Sequence, residues 1–406
     1  MMKQGFCDEM FSTCAHNLRP SAVRELLKVI KQPNMISFAG GMPAPTIFPV
    51  EKFAEGAHLL KDEATNLLQY ATTEGDIPLR EALIKFMAPR LGREVALNEI
   101  LITTGSQQAL DLFSWTMFDK DDVIITEDPT YMAALNTFSN HGAKAVGVPC
   151  DGDGMLMDEL VATIRRLQTE GKKIKAIYTI VNFQNPGGMT MSVERRQQLS
   201  DIADEYGIPI FEDDPYGFVR YEGEHLPSIF SFNKNNNVLY AGSFSKILAP
   251  GARIGWVIGP ENIIRKMTVF KQSTDLCSSS IDQALVREYC QKGYLEQHLP
   301  VICATYKERR DAMQKAMEEH LAPLGCTWVK PQGGFFFWLN FGQGVDCQEV
   351  ARVCLEKKVA FVVGTAFCVN PETGRNYARI NFTYSEPDVL EEGVRRMAQA
   401  LKELKK

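Results

Sequence analysis

From about residue 100 onward, short runs rich in β-branched residues alternate with longer segments of helical spacing. The runs are ILITTG (100–105), DVIITED (122–128), AKAVGVP (143–149), IKAIYTI (174–180), IPIFEDD (208–214), NVLYAGSFS (237–245) and RIGWVIG (253–259). Segments such as SQQALDLFSWTMF (106–118) and SVERRQQLSDIADEYG (192–207) separate them. Strands apolar on both faces and joined by helices imply an α/β fold, a mostly parallel seven-stranded sheet between helices. RIGWVIG follows its predecessor too closely for a helical crossover, so it is expected to pair antiparallel.

After Gly259 the pattern changes. A long helical tract runs to about residue 321, followed by GGFFFWLNF (333–341), a helix around EVARVCLEKK, the β-like AFVVG, RINFTY (379–384) and a final helix. That order reads as a smaller α+β domain. The Gly/Pro-rich FAGGMPAPTIFP (38–49) reads as an arm or loop. A chain of 406 residues exceeds the usual size of a single core. The expected division is an N-terminal arm and helix (1–50), a large domain (51–290) and a small C-terminal domain (291–406).

Several function classes are disfavoured. The formal net charge of −6 argues against a nucleic-acid surface. The basic pairs Lys172 and Lys173, Arg195 and Arg196, and Arg309 and Arg310 read as solvated helix faces. The N-terminus lacks a secretory pattern, and no apolar stretch is long enough to span a bilayer. Ten scattered cysteines without a C-x-x-C fit reduced thiols in the cytoplasm. The six histidines show no close pairing, so no metal site is expected.

Ligands of open parallel sheets sit at the carboxyl ends of strands, beside helix N-termini. After ILITTG, Gly105, Ser106 and Gln107 open a helix. They could cradle a phosphate, or Ser106 could simply cap the helix. IPIFEDD ends in Asp213 and Asp214, with Tyr216 close behind. IKAIYTI leads into the turn 182–188, which contains Asn185. NVLYAGSFSK puts Lys246 at an apolar strand end, where desolvation would favour a neutral nucleophile, and Arg253 follows seven residues later. Each signal alone has an ordinary structural explanation. Four such signals, all at the carboxyl ends of strands, converge on one site.

In these segments the chain resembles the fold-type I pyridoxal-phosphate aminotransferases of class I/II, especially the 2-aminoadipate, kynurenine and aromatic group. The resemblance runs through SFAGGMPAP (37–45), LQYATTEGDIPLREAL (68–83), ITTGSQQALDL (102–112), EDPTYMAA (127–134), NFQNPGG (182–188), EDDPYGFVRY (212–221), GSFSKILAPGARIGW (242–256) and ARINFTYSEP (378–387). The interval from Lys246 to Arg253, with Pro250, matches the aminoadipate-like members.

The resemblance implies that Lys246 carries pyridoxal 5'-phosphate as a Schiff base and shuttles the Cα proton. It implies that Asp213 pairs with the ring nitrogen, and that Tyr216 and Asn185 bond the ring oxygen. Tyr131 would stack on the ring. Ser106, Gln107, Ser243, Ser245 and Arg253 would hold the phosphate, with Tyr70 reaching it from the other subunit of a homodimer. Arg379 would grip the substrate carboxylate with Asn185 and Gly40, and Arg24 would contact the substrate side chain. Phe38, Phe335 and Phe367 are aromatic candidates for the pocket wall.

The expected reaction moves the amino group of an L-amino acid of 2-aminoadipate, aromatic or branched type to a 2-oxo acid such as 2-oxoglutarate, by a ping-pong mechanism. Two alternatives stand beside it. One is a lyase or decarboxylase with the same cofactor. The other is the effector-binding domain of a transcription regulator, which would need a DNA-binding module for which the first residues leave no room. No G-x-G-x-x-G follows the strands, which disfavours a nicotinamide dehydrogenase.

Overall fold

The computed structural model describes residues 8–12, 15–16 and 33–405. Arg24 and the N-terminal helix expected around it lie outside the described residues. In chain order, strand β1 (Ile36–Ser37) is followed by short helical turns between Val50 and Leu67, then helix α1 (Ile77–Leu91) and β2 (Ile100–Thr103). Next come α2 (Ser106–Met117), β3 (Val123–Asp128), α3 (Met132–Asn140), β4 (Lys144–Asp151), β5 (Gly154–Met155) and α4 (Met157–Thr169). The core is completed by β6 (Ile174–Thr179), α5 (Val193–Tyr206), β7 (Ile210–Asp213), β8 (Val238–Ser243) and β9 (Gly255–Ile258).

All seven expected runs are strands of one sheet, in the order β2-β9-β8-β7-β6-β3-β4-β5. The sheet has eight strands rather than seven. The addition, β5, is a two-residue edge strand folded back antiparallel on the end of β4. It is too short to carry a periodic signal. As expected, β9 is antiparallel, and it is so to both neighbours, β8 and β2. β2 and β8 therefore point the same way, along with β7, β6, β3 and β4. Their carboxyl ends share one edge, and β9 begins there.

Both faces of the sheet are packed. Ile100, Ile102, Ile177 and Ile210 face one apolar cluster. Leu101, Ala176, Tyr178 and Phe211 alternate to the other, which includes Leu110 and Phe113 of α2 and Phe138 of α3. Each such side chain withdrawn from water contributes roughly 1.5–3 kcal/mol, so burial on both faces fixes the register of the central strands.

The helical tract after Gly259 divides into α6 (Glu261–Thr274), α7 (Ser280–Gln291) and α8 (Tyr294–His320). The first break contains Leu276 in the left-handed region (φ 65°), and the second has Gly293 at φ 68°. Strand β10 (Phe336–Asn340), α9 (Cys347–Glu356), β11 (Val359–Ala360), β12 (Val362–Val363), β13 (Tyr377–Asn381) and α10 (Pro387–Leu404) follow. They supply an antiparallel sheet, β10-β13-β12, and a parallel pair, β1 with β11. The strand β1 ends just before the Gly/Pro-rich segment, whose first residue, Phe38, continues its hydrogen bonding. Phe38 N–H donates to Ala360 O at 2.7 Å, and Asn381 N–H donates to Phe38 O at 2.9 Å. These bonds carry Ala39, Gly40 and Gly41 toward the edge where the strands of the large sheet end.

The reading of the basic pairs is corrected in part. Lys172 and Lys173 are exposed, but Arg196, Arg309 and Arg310 are buried. Arg196 donates to the carbonyls of Met191, Pro227 and Val181 and to Asn182 Oδ1. Arg310 bonds Pro331 O, and Arg309 bonds Thr383 O. Turn carbonyls inside the fold need donors, and a long guanidinium supplies several at once.

Candidate active site

The strand ends open into a cavity of about 550 Å³. The loops after β2, β3, β6, β7 and β8 all reach it, and so does the start of β9. The chain reverses its direction of travel across the sheet between β3 and β6, which is where α/β sheets open a ligand crevice. Of the residues expected at the site, Ser106, Gln107, Tyr131, Asn185, Asp213, Tyr216, Ser243, Ser245, Lys246, Arg253 and Arg379 line this one cavity.

Lys246 stands on the cavity wall immediately after β8. Its Nζ donates to Gly41 O at 2.7 Å, an atom supplied by the arm. Desolvation lowers its ammonium to about 8, and the nearby charges of Arg379 and Arg253 act in the same direction. The neutral amine is therefore accessible near neutral pH, as a nucleophile or base requires.

Asp213 ends β7 and is buried. Tyr178, on neighbouring β6, donates its hydroxyl to Asp213 Oδ2 at 2.8 Å. Oδ1 is buried without a partner. Desolvation raises the carboxyl to about 7 against the bond from Tyr178, with the adjacent charge of Asp214 adding to the rise. Such a site binds a cationic N–H donor strongly, because the ion pair would satisfy the bare oxygen.

At the opposite end, Gly105 adopts φ 72° and caps α2, making no side-chain bond. Ser106 is thus the first helical residue rather than the cap, and its hydroxyl is not used in capping. A Cβ on Gly105 would lie 2.4 Å from Arg253 Nη2, so glycine lets the guanidinium close over the turn. On the other side, a Cβ on Gly255 would lie 2.8 Å from Ser106 N. Arg253 is held by Thr104 O at 3.2 Å and Ser245 Oγ at 3.4 Å, and Ser243 Oγ donates to Ser245 Oγ at 2.9 Å. Backbone N–H groups at a helix start, two hydroxyls and a guanidinium form an anion cradle. The Gln107 amide instead donates to Thr137 Oγ1 at 2.8 Å.

Arg379, in the middle of β13, donates to Asn185 Oδ1 at 2.9 Å and Ala39 O at 2.7 Å. Its guanidinium carbon lies 4.1 Å from the ring centre of Phe336 and 4.9 Å from that of Phe367. Its Nε is buried without a partner. Burial lowers it to about 10, so it stays charged at neutral pH. Asn185 also shares a hydrogen bond with Tyr216, whose phenol burial pushes up. The turn bearing Asn185 is held by Gln184. Its amide accepts from Gly187 N–H at 2.7 Å and donates to Pro129 O at 2.7 Å and to buried Glu127 at 3.1 Å.

Two of the described expected residues, Gly40 and Tyr70, stand apart. Gly41, rather than Gly40, forms the cavity wall. Tyr70 is 78% exposed, on a surface with Leu68 and residues 277–280. Arg24 lies outside the described residues. Phe38 and Phe335 are core residues, whereas Phe336 lines the cavity and Phe367 backs Arg379. Sequence reasoning missed Tyr178, Phe336 and Gly41. Alternation along FFFWLNF could have separated Phe336 from its neighbours. Nothing local marks Tyr178.

Residues 10–397 match the family model for aminotransferase class I and II. The chain belongs to the class I and II aminotransferases. It is 43% identical to aromatic-amino-acid aminotransferase 1 of Thermococcus litoralis over 98% of this chain and 95% of that protein. It is 35% identical to 2-aminoadipate transaminase of Thermus thermophilus, covering 99% of each. The crystal structure of Pyrococcus horikoshii kynurenine aminotransferase, in complex with PMP, superimposes with a TM-score of 0.94 at 42% identity, covering 98% of both chains. This aminotransferase uses pyridoxal 5'-phosphate. The cavity fits that cofactor: a bare buried carboxylate oxygen suits a protonated ring nitrogen, and the glycine-lined cradle suits a phosphate. No described helix is long and apolar enough to cross a membrane, and no described cluster could hold a metal ion.

Proposed function

We propose that this aminotransferase moves the amino group of an L-amino acid of aromatic, 2-aminoadipate or branched type to 2-oxoglutarate, in two half-reactions through one cavity. The observation that carries this reading is Arg379. It is a buried cation braced by Asn185, with a free Nε, in the same cavity as Lys246 and Asp213. A planar guanidinium binds a carboxylate bidentately, so each substrate would be anchored by the group that every amino and 2-oxo acid shares.

When bound, the cofactor supplies an electrophilic carbon and a ring that withdraws electrons from the substrate Cα. Lys246 would hold the cofactor through Nζ, and the same amine, neutral and desolvated, would take up and return the substrate Cα proton. Asp213 would hold a proton on the ring nitrogen through its bare Oδ1. Tyr216 and Asn185 would bond the ring oxygen, and Tyr131 would cover the ring. The backbone N–H groups of Ser106 and Gln107, with Ser243, Ser245 and Arg253, would hold the phosphate. Gly41 and the neighbouring Gly40 close the carboxylate end with the arm. Phe336, Met132 and Ile180 present apolar surface to the cavity, which supports aromatic or branched side chains. Arg24 would serve an acidic one.

The exposure of Tyr70 supports a homodimer in which it reaches its partner's phosphate. The functional division is an arm (1–50), a cofactor domain (51–290) and a small domain (291–406), and the enzyme works in the cytoplasm. A panel of amino acids added to holoenzyme without acceptor tests the reading. Aromatic or 2-aminoadipate donors should bleach the aldehyde absorbance, and 2-oxoglutarate should restore it. Release of ammonia or carbon dioxide in place of this exchange would refute it.

A further inference from the structure

Helix α6 contains Lys271, whose side chain is completely buried although the chemistry above does not use it. Its ammonium donates to Asp275 at 2.7 and 2.8 Å, to Gln108 Oε1 at 2.9 Å and to Ser278 Oγ at 3.1 Å. Gln108 lies in the first turn of α2. Its Oε1 also accepts the Thr104 N–H at 2.8 Å, while its Nε2 donates to Asp275 Oδ2 at 2.7 Å. The Thr104 hydroxyl donates to the same carboxylate oxygen at 3.0 Å. Thr104 O accepts from Arg253 Nη2 at 3.2 Å. Every polar group of Thr104 is therefore engaged, directly before the turn at Gly105.

The orientation of the Gln108 amide depends on Lys271. Two donors, the ammonium and the Thr104 N–H, meet at Oε1, and one acceptor, Asp275, meets Nε2. An amide turned the other way would set N–H against N–H on one side and oxygen against carboxylate on the other. Without the ammonium one of these three contacts disappears, and the hold of the amide on Thr104 is weakened. The backbone N–H groups at the start of α2 and the Arg253 guanidinium would then lose their common anchor. The partners of this buried ammonium come from α2 and from the segment between α6 and α7.

We propose that Lys271 is a positioning residue for the cofactor's phosphate, acting through Gln108 and Thr104 on the cradle formed by Gly105, Ser106 and Arg253. This rests on the placement of the phosphate at that cradle.

The test compares apoenzyme affinities for pyridoxal 5'-phosphate and for pyridoxal, which has the aldehyde but no phosphate. In Lys271→Met and in Gln108→Met, affinity for the phosphorylated form should fall about ten- to hundredfold, with affinity for pyridoxal unchanged. A general loss of structure would weaken both ligands alike. The proposal is overturned if the preference for the phosphorylated form stays at the wild-type value in Gln108→Met. It is equally overturned if that preference persists in Lys271→Met, or in Lys271→Gln should the methionine variant fail to fold. Arg253→Met separates the two levels. If it keeps the wild-type preference, the phosphate placement itself is wrong.

Discussion

Tyr178 and Asp213 meet across adjacent strands with a 2.8 Å hydrogen bond to one carboxylate oxygen, leaving the other buried and bare. The bond fixes which oxygen faces the cavity. Without cofactor, however, ionising this carboxyl places a poorly solvated charge in the interior, which is why burial raises it to about 7.

The sign of the resulting pH effect follows directly. Asp213 binds its proton more tightly in the folded chain than in the unfolded one, where 3.8 applies. Its favourable contribution is complete below about 4 and is lost as pH rises through about 7. Asp213→Asn should therefore make the apoenzyme more stable relative to wild type as pH increases from 5 to 8, by on the order of 2–4 kcal/mol at the upper end. Urea unfolding of both apoproteins at the two pH values measures this. A difference that shrinks with rising pH contradicts it.

In the proposed role, Lys246 must be neutral to capture the cofactor aldehyde. With its ammonium at about 8, about one molecule in ten has the free amine at pH 7. Stopped-flow mixing of apoenzyme with cofactor should show a capture rate that rises roughly tenfold per pH unit below 8 and flattens above it. Lys246→Ala should abolish transamination, and borohydride should fix no cofactor to it.

Arg379→Ala should raise KM for the amino donor about a hundredfold, in line with truncation of one partner of a buried charge pair. The cofactor's absorbance should stay near that of wild type. An unchanged KM with lowered kcat would move Arg379 out of the carboxylate role.

Arg196 touches neither the cavity nor solvent, yet four acceptors depend on it. Arg196→Ala should destabilise the protein by about 3–5 kcal/mol, because Met191 O and Asn182 Oδ1 lose their donor inside the fold. Thermal unfolding of the holoenzyme reads this loss.

The large sheet was legible because its strands are apolar on both faces and its crossovers are long. Even the antiparallel entry of β9 followed from the shortness of the preceding link. Two-residue strands such as β1 and β5 have no period to read. The positions of Lys246, Asp213 and Arg379 were legible through strand ends and family motifs. Tyr178 was not, since a tyrosine within a buried strand looks like packing until the neighbouring strand is placed beside it. Arg196 and Arg310 were misjudged for a related reason: charge suggests solvent, and only the assembled turns show how many carbonyls lie within reach. Gly41 and Gly40 differ by one residue, and only the folded arm shows that Gly41 lines the cavity.

The bond from Arg379 to Ala39 O joins residues 340 positions apart. During synthesis the early segment that carries this carbonyl leaves the ribosome long before its partner exists. This contact can therefore be assembled only after nearly all of the polypeptide has emerged, and a chain interrupted ahead of its last strand would be born without it.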